Sequence, residues 1–475
     1  MRRAFDPLRP PDPPAPDATA FTLPDVTVIV PGQPAVPGQD LTVRHGRIQH
    51  LTASGSQPAP APVLERFRHA YVLPGLVDMH SHLPAASALR MSGLFLLLHL
   101  AHGVTTVRDA GDLDGTAVPA ARRLLADGHP GPRLSTAGAF VTAGAPRWSN
   151  SHLLSGPRDA ADAVARLADA GNEWVKAYEN LEPATIRALV DAAARRGLGV
   201  LGHVPTQLRH EQALLPDSQH FFGVPLPEDL QADTVVCRAS DWHGVDERRI
   251  DQIVATSVLH RLAHTPTLVT ACGLLTYRDP TGPERPPGIE QLPSLFPDVL
   301  WHPDRGIPAY RGLTPGRLAS VEDALSRKLR LVGRLHAAGV RLHLGTDTLQ
   351  PFVAPGLALH QEMRLFGRAG ISAADVWRLA TVDAARTIAP HTNEPSLGLI
   401  QPSAPADFLI YDHDPTTGLD PASGLHAVTS RGHLYLKSTL DDAVRRHSGH
   451  HRQPHVRLIG NIATRRQLRK TSFRR

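Results

Sequence analysis

Cysteine is almost missing from this chain: Cys237 and Cys272 are the only two in 475 residues. Two thiols cannot build a disulfide framework for so long a chain, which predicts stability from packing and a reducing compartment, the cytoplasm. Long apolar runs are missing too. The greasiest stretch, Met91 to Leu100, is interrupted by polar and small residues and falls short of the roughly 18 residues a membrane span requires, so no membrane partner is expected. The opening MRRAFDPLRPPDPPAP follows its basic residues with proline rather than with the apolar segment of a secretory signal. What is present is ordinary globular usage, 41% hydrophobic and 20% charged, which excludes wholesale disorder, collagen and a simple coiled coil.

The net charge of +5 gathers at the end, where the chain from Arg445 reads RRHSGHHRQPHVRLIGNIATRRQLRKTSFRR. Charge blocks at termini are usually solvated, so residues 441–475 are expected to be a basic flexible tail rather than an arm for nucleic acid. Residues 1–24 are proline-rich and patternless, and read as a disordered leader. Short β-branched runs from Val26 to Val30 and from Leu41 to His50 announce a small β unit. ADFLIYDHDP, HAVTSRG and HLYLKS return to that texture near the other end. Segments 25–70 and 391–440 are therefore expected to form one composite β domain.

Between them, residues 71–390 alternate strand-sized apolar runs with alanine- and leucine-rich helical stretches, the pattern of βα units around a parallel sheet. Eight strand candidates are present: AYVLPGLVDM, GVTTVRDA, PRLSTAG, EWVKAY, LGVLGHV, SQHFFG, TPTLVT and GVRLHLGTD. Eight is the number a closed (β/α)8 barrel needs. A proline-dense insertion from Gly273 to Arg317 interrupts the pattern, and long insertions of this kind are often lids or substrate-binding segments.

The chemistry concentrates at the ends of these strands. LPGLVDMHSHL presents His80 and His82, which as alternate residues of an extended chain face one way and can grip one ion. Lys176 ends the fourth candidate, His203 the fifth, Asp347 the eighth, and His220 lies on the sixth. In a barrel such positions converge on one mouth, giving enough nitrogen and oxygen donors for two divalent ions if something anionic bridges them. A desolvated, neutral Lys176 condensed with carbon dioxide would be such a bridge; the plainer reading is a lysine reaching solvent. Asp347 could equally cap a helix. Zinc is favoured by imidazole ligands, although manganese, cobalt or iron fit the same donors. Among the other histidines, His343 points into the barrel as packing or support, and His360 either reaches the mouth or lies on a helix surface. His102, His129, His243, His264 and His302 have no strand-end placement.

From Val26 to Lys437, through LPGLVDMHSHL, GVTTVRDAG, GPRLSTAG, WVKAY, GHVP, the QH of DSQHFFG, GTDT, LATVDAARTI and ADFLIYDHDP, the sequence resembles the amidohydrolase superfamily of metal-dependent hydrolases. The likeness is to its imidazolonepropionase-like and prolidase-like branch. The resemblance implies an α/β fold, a distorted (β/α)8 TIM barrel with a small β-sandwich built from both chain ends. It implies that His80, His82 and Asp347 hold the more buried ion, that Lys176 as N6-carboxylysine bridges, and that His203 and His220 hold the second. One residue departs from the pattern: where relatives often carry glutamate before the sixth-strand histidine, this chain has Gln219, so the charge behind the ligands there is weaker or differently arranged. VTAGAPRWSN and the stretch from Ser403 to Pro405 also depart from the family's glycine-rich wording.

Metal-assisted hydrolysis follows as the expected reaction, with hydroxide attacking a carbonyl, Asp347 shuttling the proton to the leaving nitrogen, and His203 assisting the carbonyl. Tyr178 and His360 are candidates for touching the substrate. The expected substrate is a small amide or cyclic amide, dipeptide-like or imidazolone-like. An ester, lactone or phosphoester substrate is the alternative within enzymes; a nonenzymatic barrel whose tail binds nucleic acid is the alternative outside them. A homo-oligomer is compatible with the sequence.

Overall fold

The β-branched runs near the start form β1 (Phe21–Val28), β2 (Val36–Arg44) and β3 (Arg47–Ala53), paired antiparallel. A fourth strand, β4 (Tyr71–Pro74), runs parallel to β1. The barrel strands follow as β5 (Leu76–Ser81), β6 (Val104–Asp109), β7 (Arg133–Thr136), the short β8 (Phe140–Thr142) and β9 (Ser151–Leu153), then β10 (Trp174–Ala177) and β11 (Gly199–Gly202). They end with β12 (Asp217–Gln219), β13 (Ala263–Thr265) and β14 (Arg341–Leu342). Finally β15 (Phe408–Tyr411), β16 (Leu425–Ser430) and β17 (His433–Leu436) rejoin the first sheet. This computed structural model describes residues 6–283 and 285–470, so the outermost five residues of the expected leader and of the expected tail lie outside the described residues.

The small domain is one seven-stranded sheet, in the order β17-β16-β15-β4-β1-β2-β3, which joins the two ends of the chain. Its buried side chains, among them Phe21, Leu23, Val43, Phe408 and Ile410, form a core of their own. The second unit is an α/β barrel. Its strands are parallel and hydrogen-bonded in two arcs, β5-β6-β7 and β14-β13-β12-β11-β10-β8-β9. Met79 N donates to Leu344 O at 2.9 Å and Glu173 N to Thr136 O at 3.0 Å, closing the two seams. Eight strands, β5 to β7 and β10 to β14, make the ring. No helix among the described residues is long and apolar enough to cross a membrane.

The run AYVLPGLVDM, expected as one barrel strand, is two. Pro74 has no N–H to extend a ladder, and a Cβ on Gly75 would lie 1.9 Å from Thr105 Oγ1. The chain therefore changes sheets there, with β4 in the small domain and β5 in the barrel. The seventh strand is also displaced: the ladder occupies Ala263–Thr265, and Val269–Leu275 of the expected TPTLVT region is helix. Pro266 ends the pairing, and Thr267 takes a left-handed backbone at φ +50°.

Both ends of the chain are more ordered than their composition predicts. Residues 6–20 of the expected disordered leader lie along the fold: Leu434 N donates to Ala18 O, Asp17 N donates to Leu434 O, each at 2.8 Å, and Arg90 pairs with Asp6. The expected flexible tail is helical over Lys437–His451 and Pro454–Lys470. Leu440, Ala443, Val444, His447 and His451 are buried by the first of these helices, and Val456 by the second. Composition hid this because four of the seven buried residues of the first helix are histidine or serine, not a leucine stripe. The Gly273–Arg317 insertion is likewise packed, burying Ile289, Phe296, Trp301 and Tyr310, and Arg457 of the last helix pairs with its Asp298 at 3.0 Å.

Candidate metal centre

His80 is the fifth residue of β5 and has no solvent exposure. Its Nδ1 contacts Gln219 Oε1, which leaves Nε2 pointing at Asp347 Oδ1, 3.4 Å away, without a hydrogen-bond partner. His82 lies just beyond the strand. Its Nδ1 donates to Gly111 O at 2.8 Å, and its Nε2 stands 3.3 Å from the same Asp347 oxygen. Both imidazoles thus spend one nitrogen on the scaffold and direct the other to one point, the arrangement by which outer partners orient ligating histidines.

Asp347 is brought to that point by the backbone. Its N–H and that of Thr346 both donate to His80 O, at 2.7 and 2.9 Å. Asp78 receives Thr346 N at 3.1 Å and Thr346 Oγ1 at 2.7 Å, and Gly345 permits the approach, since a Cβ there would lie 2.7 Å from that of His80. Asp347 itself has φ +55° and His220 φ +61°, conformations that non-glycine residues hold only when their surroundings impose them. Burial works to raise the Asp347 carboxyl, but the imidazoles of His220, His80 and His82 gathered around it hold it well below the usual range. It is a carboxylate.

His220 is the first residue past β12, not a strand residue as expected. Its Nδ1 lies 2.7 Å from Thr267 Oγ1 and 3.8 Å from Asp347 Oδ2. His80, His220 and Asp347 each place a donor atom within 4.8 Å of the others. The His203 ring lies 4.9 Å from that of His220, with its Nδ1 held by Glu179 Oε1 at 2.9 Å. Burial, followed by other effects, pushes His80 down to about 4 and takes His203 and His220 well below their ordinary value, so all three are neutral imidazoles, the ligating form.

Lys176 enters from β10, buried to 1% exposure, and its Nζ has no hydrogen-bond partner. Burial pulls its pKa down to about 7, against the pull of Asp347. When protonated, it opposes a charge on His80, His203 and His220. An unpartnered buried amine and an unpartnered buried imidazole nitrogen beside a carboxylate are what a divalent-ion site looks like in its protein atoms, and this donor set fits metal ions.

Of the two residues expected to touch substrate, only Tyr178 is here. Its ring lies 4.6 Å from that of His203, and its hydroxyl accepts from Trp148 Nε1 at 3.2 Å. His360 is elsewhere: it is buried, its Nε2 lies 2.8 Å from His102 O, and its ring meets that of His102 edge-on. The helix Leu357–Arg368 turns it toward the residues before β6, at the opposite end of the strand from the mouth. His343 contacts Asp217 Oδ2 at 3.1 Å and Thr387 Oγ1 at 3.1 Å.

Several supporting residues escaped the sequence. Arg108, wholly buried, donates to Met79 O at 2.7 Å and pairs with Asp217 at 2.5 Å. Glu179, which holds His203, is itself held by Arg238 at 2.7 Å. Tyr310, from the proline-dense insertion, donates to Gln350, three residues past Asp347. The only signal for Asp217 was its place two residues before Gln219 in DSQH; nothing local marked Arg108 or Tyr310.

The model of the amidohydrolase family matches residues 71–434. Among solved structures, a bottromycin amidohydrolase is 27% identical, with 91% of each chain covered and a TM-score of 0.68. A prolidase complexed with N-methylphosphonate-L-proline is 19% identical, covering 88% of this chain and all of its own, with a TM-score of 0.62. Ochratoxinase of A. niger is 15% identical over 88% of this chain and 96% of its own, also with a TM-score of 0.62. No curated protein matches the chain.

Proposed function

The chain belongs to the amidohydrolase family, and from that premise we propose that it hydrolyses an amide or cyclic amide C–N bond of a small, dipeptide-like or imidazolone-like molecule. His80, His82, Lys176, His203, His220 and Asp347 would hold two divalent ions, zinc by the imidazole-rich donor set, with Lys176 carboxylated on Nζ. The observation that carries the reading is the meeting of His80, His220 and Asp347 beside the unpartnered Lys176 Nζ. When bound, such ions polarise a carbonyl and acidify a water.

The residues supply the rest. Asp347, held as a carboxylate, accepts the proton of the attacking water and returns it to the leaving nitrogen, which an amine needs before it can depart. Tyr178, ring against ring with the ligand His203 at 4.6 Å, flanks the position where the carbonyl lies and, its hydroxyl already accepting from Trp148, donates to it. Phe140, 4.8 Å from Tyr178, adds an apolar wall that keeps bulk water from the reacting centre. The named activities of the bottromycin amidohydrolase and the prolidase agree with C–N chemistry.

The test is a substrate panel presented to the metal-loaded protein: N-acyl amino acids, dipeptides with carboxy-terminal proline or basic residues, cyclic ureides and lactones. Turnover of at least one C–N substrate is expected. Turnover confined to lactones and esters would overturn the assignment.

A further inference from the structure

Gln219 has no solvent exposure and touches both the candidate ligand His80 and the salt-bridged core of the barrel. The polarity of its contacts is fixed from one side. Asp217 Oδ2 receives Arg108 Nη2 at 2.5 Å and stands 3.1 Å from His343 Nδ1, and its Oδ1 receives Thr265 Oγ1 at 2.9 Å. Arg108 in turn stacks over the Trp174 ring at 4.6 Å and reaches no solvent. A carboxylate paired with a buried guanidinium only accepts, so the amide of Gln219 must show Asp217 its nitrogen. Nε2 does so, 2.7 Å from Asp217 Oδ1. The amide oxygen is then left for His80 Nδ1, and an oxygen there requires Nδ1 to carry the proton.

We infer that Asp217 and Gln219 form a polarity relay that locks His80 in its Nδ1–H tautomer and so presents a bare Nε2 to a metal ion. Gln219 is a positioning residue. A glutamate in its place would set two carboxylates side by side and would need a shared proton; the amide fixes the same tautomer without an added charge. The cost is a less basic ligand, because an amide oxygen polarises the imidazole less than a carboxylate does. The inference rests on the metal-binding part of the proposed function.

Full-length protein loaded with Zn2+ and competed with a chromophoric chelator tests it, together with the visible absorption of the Co2+ form. Gln219→Leu removes the acceptor, so zinc affinity should fall roughly ten- to a hundredfold and the Co2+ bands should change. Gln219→Glu keeps an oxygen on Nδ1 and should recover most of the affinity and the wild-type band shape. Asp217→Asn can donate to the Gln219 oxygen, letting the amide turn over and favouring the wrong tautomer. If that variant does not fold, by circular dichroism, the Leu and Glu pair decides. Gln219→Leu binding zinc as tightly as wild type, or Gln219→Glu binding as weakly as Gln219→Leu, would overturn the relay. Wild-type protein that takes up no stoichiometric ion would instead overturn the metal-binding reading beneath it.

Discussion

Lys176 is the residue whose proposed role departs furthest from its ordinary chemistry, and its replacement gives the richest readout. Burial takes its pKa from 10.5 to about 7, so near neutral pH a large share of the amine is neutral, against roughly one molecule in a thousand for an exposed lysine. Only the neutral amine attacks carbon dioxide, forming the N–C bond and releasing a proton. The fold therefore raises the reactive population several-hundred-fold at neutral pH. Lys176→Ala should lose turnover and bound metal, and a short-chain carboxylic acid added in excess should restore part of both by occupying the carbamate's place. Lys176→Arg should not function, because a guanidinium remains charged. Metal-stripped wild type reconstituted in carbon-dioxide-free buffer should bind metal poorly until bicarbonate is added, and progressively worse below pH 7 as the amine protonates. Wild-type rates in Lys176→Arg, or reconstitution indifferent to bicarbonate, would refute this reasoning.

Asp347→Asn should retain substantial metal while turnover falls by about two to four powers of ten, more for unactivated amides than for activated esters; steady-state kinetics beside metal analysis checks this, and near-normal amide turnover would remove the shuttle. Deleting residues 445–475 should lower the melting temperature by several degrees, since each kcal/mol is worth roughly 2–4 °C in a domain of this class and the deletion strips buried His447, Ser448 and His451 from the barrel; an unchanged thermal melt would count against the docking. Acid should destabilise the same region: burial holds His99 near 3 and both His447 and His451 near 4, so they stay neutral when folded but charge when unfolded, and stability should drain away as pH falls from about 6.5 toward 4. Equal melting temperatures at pH 7.5 and pH 5 would contradict that sign.

The barrel was legible because βα alternation repeats, and the candidate ligands because strand-end polar residues stand out against apolar runs. His80 and His82 at the end of an apolar run needed no tertiary knowledge. What stayed hidden depends on partners distant in sequence. Gly75 looks like any strand glycine until Thr105 closes on it. His360, in PGLALHQEM, follows the eighth strand closely enough to reach the mouth, and only the direction of its helix sends it to His102 instead. Arg108 reads as one of two adjacent charges closing a buried strand, and its meaning comes from Asp217, 109 residues away. The C-terminal helices read as tail because histidine counts as polar in any composition rule, yet six of the histidines in this corner, His99, His102, His129, His447, His450 and His451, are buried.

The metal content of the purified full-length protein, measured with its activity on a C–N substrate in the same preparation, bears most directly on the claim that these donors form a hydrolytic metal centre. About two divalent ions per chain are expected, with ions and turnover both lost in the His80→Ala, His82→Ala double variant while circular dichroism still reports the barrel. Full activity in that variant, or an active wild-type protein free of divalent metal, would contradict the claim.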